Sequence, residues 1–149
     1  MAFRVICILL AVTSIAYASV FSQCEQDPEA VSVHVDNCND EYCEVKRSTP
    51  ANMELAFRTV KEATNLSSTV RAQVAGKWFP WPLGSASKVC NNLKTGSCPV
   101  PANTEATYGF SIKIPIIAPV GSKPLIEIKI TDQDKTVVAC TRFPVLVVA

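Results

Sequence analysis

Histidine is nearly absent from this chain: His34 is the single one in 149 residues. A hydrolytic triad needs an imidazole base oriented by a carboxylate, and a histidine metal site needs several imidazoles. His34 falls on the polar side of an alternating run and reads as an exposed strand histidine. No Gly-x-Ser-x-Gly and no glycine-rich phosphate loop occur. No Cys-x-x-Cys occurs, so zinc lacks its usual ligand pairs. An excess of charge is also missing, with Lys+Arg 14 against Asp+Glu 13. That balance excludes a broad basic surface for nucleic acid or a polybasic membrane anchor. The acids at Glu25, Asp27, Glu29, Asp36, Asp40, Glu41 and Glu44 crowd one stretch and read as a solvated surface, not as a glycosidase pair. Between Ala63 and Thr104 there is no acid, while Arg71, Lys77, Lys88 and Lys94 are basic. Such an asymmetry could meet an anionic headgroup, or could carry no function. No window carries a sustained helical stripe. Ten prolines and five glycines are too dispersed for a collagen or low-complexity chain, and 48% apolar residues is a globular value. The expectation is a protein that is not an enzyme and has no cofactor, metal or nucleic-acid partner.

Seven cysteines are present, an odd number for a disulfide framework. The N-terminus resolves the parity. Arg4 is the only charge before Glu25, and the apolar run Val5–Val12 leads to Ala16-Tyr17-Ala18. A basic start, a short apolar core and a small-x-small site describe a secretory leader over residues 1–18. Its removal takes away Cys7 and leaves residues 19–149 as one domain with six cysteines. No second apolar run reaches transmembrane length. Asn65-Leu66-Ser67 is an N-glycosylation acceptor in a polar stretch.

The remainder alternates with period two. Val31, Val33 and Val35 share a face, as do Met53, Leu55 and Phe57, then Val70, Ala72 and Val74. Tyr108, Phe110, Ile112, Ile114 and Ile116 follow, then Ile126, Ile128 and Ile130 with Glu127 and Lys129 opposite. The tail 137–148 is β-rich but less cleanly alternating. Half-buried strands carry this pattern. Six or seven of them, punctuated by prolines, predict an all-β, two-sheet antiparallel sandwich.

Six cysteines allow fifteen pairings, and sequence alone does not choose among them. Cys38 with Cys43, and Cys90 with Cys98, are each close enough to close a small polar loop, which would leave Cys24 with Cys140.

Two segments break the alternation. Gly76–Gly84 holds both tryptophans, with Phe79, Trp81 and Leu83 among Pro80 and Pro82. Prolines remove backbone donors, so this segment cannot pair as a central strand. Rigid aromatics there form either the rim of an apolar pocket or a cap on the core. Ile114–Gly121 is apolar without alternation and is broken by Pro115 and Pro119.

Taken in order, these pieces resemble the ML lipid-recognition family, which includes the secreted Niemann-Pick type C2 sterol-transfer proteins and the group 2 mite allergens. The likeness spans the chain after the leader. It rests on Val31-x-Val33 before Cys38, Cys43-x-Val45-x-Arg47, Val74-x-Gly76 and Pro80-Trp81-Pro82-Leu83 before Cys90. It continues through Cys98-Pro99, Thr107-Tyr108, Ile114-Pro115-Ile116, Ile126–Asp132 and Cys140-x-x-Phe143-Pro144-Val145. The resemblance implies an immunoglobulin-like sandwich with splayed sheets, an apolar cavity between them, and the pairs Cys24–Cys140, Cys38–Cys43 and Cys90–Cys98. It implies a mouth at Trp81 and Ile114-Pro115-Ile116, with Val120 across from them. Residues expected at the ligand, unless they are ordinary core, are Val33, Val35, Leu55, Phe57, Val74, Phe79, Trp81, Leu83, Tyr108, Phe110, Ile112, Ile114, Ile116, Val120, Ile126, Ile128, Phe143 and Val145. The chain departs from the family at Asn39-Asp40-Glu41-Tyr42, where prolines are usual, and at Ile128, where Trp is common. The expected partner is a hydrophobic small molecule, a sterol or fatty acid, held by a secreted monomer. Delivery to a membrane acceptor protein, or residence in the lysosomal lumen, is consistent with this. The alternative is extracellular lipid recognition in innate immunity or chemical communication.

Overall fold

A computed structural model describes residues 19–149, so the leader reading lies outside the described residues. Among them are ten strands: β1 Ser22–Gln23, β2 Ser32–Val35, β3 Cys43–Lys46, β4 Pro50–Arg58, β5 Leu66–Val74, β6 Lys77–Trp81, β7 Leu93–Thr95, β8 Glu105–Lys113, β9 Leu125–Asp132 and β10 Val137–Val148. The excess over six or seven comes from short strands of two to four residues. Two 3-10 turns, Gly84–Ser87 and Val89–Asn91, are the helical elements here. No helix among the described residues is long and apolar enough to cross a membrane.

One sheet runs β1-β10-β9-β5-β6, and the other β2-β4-β8-β7. Their ladders are antiparallel, as alternation with short connections predicts. One contact departs from this: β3 lies parallel to the end of β10, with Val145 opposite Cys43 and Val148 opposite Lys46. The tail 137–148 is a single long strand with a register shift between Val137 and Ala139. The proline-bearing segment 77–81 pairs only with β5, at the sheet edge. An edge is where a proline without an N–H costs no ladder bond. The β5–β6 turn has positive φ at both Ala75 (51°) and Gly76 (78°), the backbone a tight two-residue hairpin requires.

The disulfides are Cys24–Cys140, Cys38–Cys43 and Cys90–Cys98. The first ties the N-terminal segment to β10 across 116 residues of chain. The other two close loops beside β3 and β7.

The space between the sheets is filled at one end. Leu55, Phe57, Leu66, Tyr108, Ile128, Ile130 and Phe143 are all fully buried there, closed below by Val89 and Val100. Tyr108 stacks on Phe110 at 4.8 Å. Its phenol donates to the Ala86 carbonyl at 2.6 Å, which satisfies the one polar atom this large side chain brings inside. Burial pushes the Tyr108 hydroxyl above the ordinary tyrosine value.

An apolar cavity and its mouth

Towards the other end the sheets part around a cavity of about 190 Å³. Val70, Ala72 and Val74 of β5, Ile126 of β9, and Val145 and Val147 of β10 form one wall. Met53 of β4 and Ile112 of β8 form the other, and Val45 of β3 contributes from the side. Trp81 lies on β6 opposite Val70, so it faces the same interior. The loop Ile114–Pro124 roofs the cavity with Ile114, Pro115, Ile117, Ala118, Pro119, Ser122 and Pro124. No titratable side chain lines it. The one hydroxyl in the wall, Ser122, donates to the Pro119 carbonyl at 2.7 Å. Apart from the Trp81 indole N–H and the Ser122 hydroxyl, the side chains of the wall are apolar, so burying a polar group there is costly. Larger concavities exist near the N-terminus and at the filled end, but charged or polar side chains such as Glu29, Lys61 and Asp132 border them.

The mouth is apolar on its outside too. Phe79, Ile116 and Val120 are exposed, as are Val74 and Ile117, which also reach the cavity. Several backbone bonds stitch the loop down. Ser48 N–H donates to Ile114 O at 2.8 Å, Gly121 N–H to Val147 O at 2.8 Å, and Val145 N–H to Pro124 O at 3.0 Å. Arg47 adds a side-chain donation from Nη1 to Ile116 O at 2.8 Å.

Of the residues expected at the ligand, the fold gathers Val74, Trp81, Ile112, Ile114, Ile126 and Val145 around this cavity. Leu55, Phe57, Tyr108, Phe110, Ile128 and Phe143 lie outside its wall, as buried core of the filled half, and Val35 is buried on β2. Val33 and Leu83 pack half-buried against the core. Phe79, Ile116 and Val120 point to solvent around the mouth. The physical reason is that alternation assigns a face but not a depth along the strand. Val45, Val70, Ala72, Met53 and Val147 belong to the wall without having been singled out. Val70, Ala72 and Met53 share alternating rows with residues that were, and that shared row was the available signal.

On the outside of the β1-β10-β9-β5-β6 sheet, Arg71, Glu127 and Arg142 face each other in one cross-strand row. Glu127 is only 2% exposed. It accepts from Arg71 Nε at 2.7 Å and Arg142 Nε at 2.7 Å. The Trp78 ring of β6 covers both cations, at 4.2 Å from Arg71 and 5.2 Å from Arg142. Burial pushes the Glu127 carboxyl up, but the two guanidinium groups outweigh it and hold it below its ordinary range. Cys24, Cys140 and Glu127 come close together, yet both sulfurs are bonded to each other and the carboxylate is taken, so the trio has no ligand atoms free for a cation. His34 is exposed on β2, 3.7 Å from Asp36. Asn65 is exposed in the β4–β5 connection.

A family model described as the ML domain matches residues 18–147. The mite group 2 allergen Tyr p 2 of Tyrophagus putrescentiae is 29% identical over 114 residues, covering 75% of this chain and 77% of that protein. Among solved structures, a Niemann-Pick type C2 protein from the Japanese carpenter ant superposes with TM-score 0.75 at 17% identity, covering 85% of this chain and 98% of that one. Chicken MD-1 in complex with lipid IVa superposes with TM-score 0.51 at 19% identity, covering 83% and 85%. These two likenesses are likenesses of fold.

Proposed function

The chain belongs to the ML-domain family, and from that premise we propose that it is a secreted carrier that holds one hydrophobic molecule between its sheets. The observation that carries this reading is a cavity walled by apolar side chains in an otherwise filled sandwich. Each CH₂ that leaves water for such a wall gains about 0.8 kcal/mol. Binding then needs no catalytic group. A cavity of about 190 Å³ is smaller than the roughly 300–1,000 Å³ of sites that enclose drug-sized molecules. That size favours a single flexible chain such as a fatty acid; a rigid sterol requires the sheets or the roof to part. The proposal includes removal of residues 1–18, a monomer, glycosylation at Asn65, and delivery to a membrane acceptor protein outside cells or in the lysosomal lumen.

A second reading is lipid recognition in immune or chemical signalling. The exposed apolar rim of Phe79, Ile116 and Val120 supports it, because such patches mark interaction surfaces. It requires a protein complex that forms only when the cavity is occupied.

The test is native mass spectrometry and lipid extraction on the secreted protein, with titration of a fluorescent fatty acid and a fluorescent sterol. A copurifying lipid or saturable probe binding is expected. Failure of every one of these ends the carrier reading.

A further inference from the structure

We propose that Arg47 is the latch of the cavity mouth, a positioning residue that sets how fast ligand exchanges; for the ligand it rests on the carrier reading. Arg47 directly follows β3, whose Val45 lines the cavity. Its backbone N–H donates to Val148 O at 3.1 Å, which roots it on the end of β10. Its side chain reaches the roof, where Nη1 donates to Ile116 O at 2.8 Å and lies 3.5 Å from Ala118 O.

Apart from Ala118, which packs half-buried against the core, the middle of the roof has little else to hold it. Pro115 and Pro119 have no N–H to donate. Ile116 and Ile117 are 67% and 86% exposed, so burial of their side chains does not pin the segment. Bonds within the loop, Ala118 N–H to Pro115 O and Ser122 N–H to Pro119 O, shape it without attaching it. Among the described residues, the hydrogen bonds that join residues 115–119 to groups outside the loop Ile114–Pro124 are those from Arg47. A guanidinium suits this role, since its planar fork presents several donors and stays charged.

The latch is also incompletely satisfied. Arg47 Nε is buried with no partner. A buried orphan donor costs free energy that water restores when the group is released. Closure is thus held by carbonyl contacts on one edge of the guanidinium and weakened by its unpaired Nε, which makes the roof releasable.

The experiment compares wild type, Arg47→Ala and Arg47→Lys with disulfides intact. In the absence of ligand, exchange of the Ala118 amide is followed by NMR. It is expected to quicken about tenfold in Arg47→Ala, the factor of one charge-assisted hydrogen bond, while amides of β4 and β9 stay unchanged. In stopped flow with the fatty acid cis-parinarate, association and dissociation both quicken by about the same tenfold, so that affinity changes little. Arg47→Lys keeps the charge and recovers part of both effects. If Arg47→Ala does not fold, Arg47→Lys against wild type carries both measurements. Unchanged Ala118 exchange in a folded variant overturns the latch, as does quickened dissociation without quickened association. If wild type binds neither this probe nor a sterol and no lipid copurifies, the carrier reading fails alone, and Ala118 exchange decides the latch by itself.

Discussion

Arg71 grips Glu127 with two parallel bonds, Nε to Oε1 at 2.7 Å and Nη2 to Oε2 at 3.0 Å, on the outer face of the sheet. Arg142 approaches the same carboxylate from β10, and Trp78 lies over both cations. The row joins β10, β9 and β5 and then, through the ring, the edge strand β6. That strand carries Trp81 into the cavity on its opposite face. Glu127→Gln keeps the shape but removes the charge that both guanidinium groups face. Arg71 is 41% exposed, so water takes over part of its solvation and the loss falls short of a fully buried pair. The expected loss is about 1.5–3 kcal/mol in chemical denaturation, the range for hydrogen bonds to charged groups. A loss below about 0.5 kcal/mol, the surface-substitution range, refutes this account of the row.

The same carboxylate sets a pH dependence. Its folded pKa lies below the ordinary glutamate value of 4.5, and that of Asp132 lies below 3.8. For Asp132 burial pushes upward, but the amides of Asp134 and Thr136 and the charge of Lys61 pull it down overall. A carboxyl depressed on folding contributes stability that is present above the unfolded pKa and is lost as pH falls through the folded one. Thermal stability should therefore hold at a pH of about 5 to 7 and fall below the ordinary carboxylate values. Glu127→Gln should flatten that acid slope. An acid slope as steep as that of wild type shows that Glu127 does not contribute.

How much of this was legible in the sequence differs from element to element. Alternation placed Met53, Tyr108 and Ile126 on inward faces because a strand's period is local. It placed Glu127 outward, and Glu127 is on the outer face. That it is nonetheless buried depends on Arg71, Trp78 and Arg142 from three other strands, a neighbourhood set by strand order. The parallel seat of β3 on β10 is non-local in the same way. The inward row read as far as Ile116 is cut short where β8 ends at Lys113; in the irregular loop beyond it Ile117 lines the cavity and Ile116 does not.

The two tryptophans report separately on inside and outside. Trp81 lines the cavity and Trp78 stacks on the outer cations. Titration with a fatty acid should change tryptophan emission in wild type and in Trp78→Phe, but not in Trp81→Phe. Trp81→Ala should weaken binding by about tenfold, near 1.4 kcal/mol. Unchanged affinity in Trp81→Ala removes Trp81 from the mouth.

Cys24–Cys140 spans a far longer stretch of chain than the other two bridges. By the loop-entropy argument its loss costs about 5 kcal/mol, against about 2 kcal/mol for each short loop. Denaturation of the paired Ser variants, Cys24 with Cys140 against Cys38 with Cys43, measures the ratio. A larger loss for the short loop contradicts the ordering.

A hollow interior and a filled one respond oppositely to added bulk. Ala72 lines the cavity, so Ala72→Phe places its ring where there is space and removes the room for a ligand chain. Ala106 lies fully buried at the filled end, where a Cβ on Gly96 would already stand 3.0 Å from the Ala106 Cβ. Ala106→Phe should therefore cost at least the roughly 1–3 kcal/mol typical of overpacking. Ala72→Phe should leave the melting temperature near that of wild type while abolishing fatty-acid binding. The two variants add the same side chain, so their difference isolates the space available at each site. Equal destabilisation at both positions would mean that the interior is packed throughout and that the cavity cannot hold a ligand.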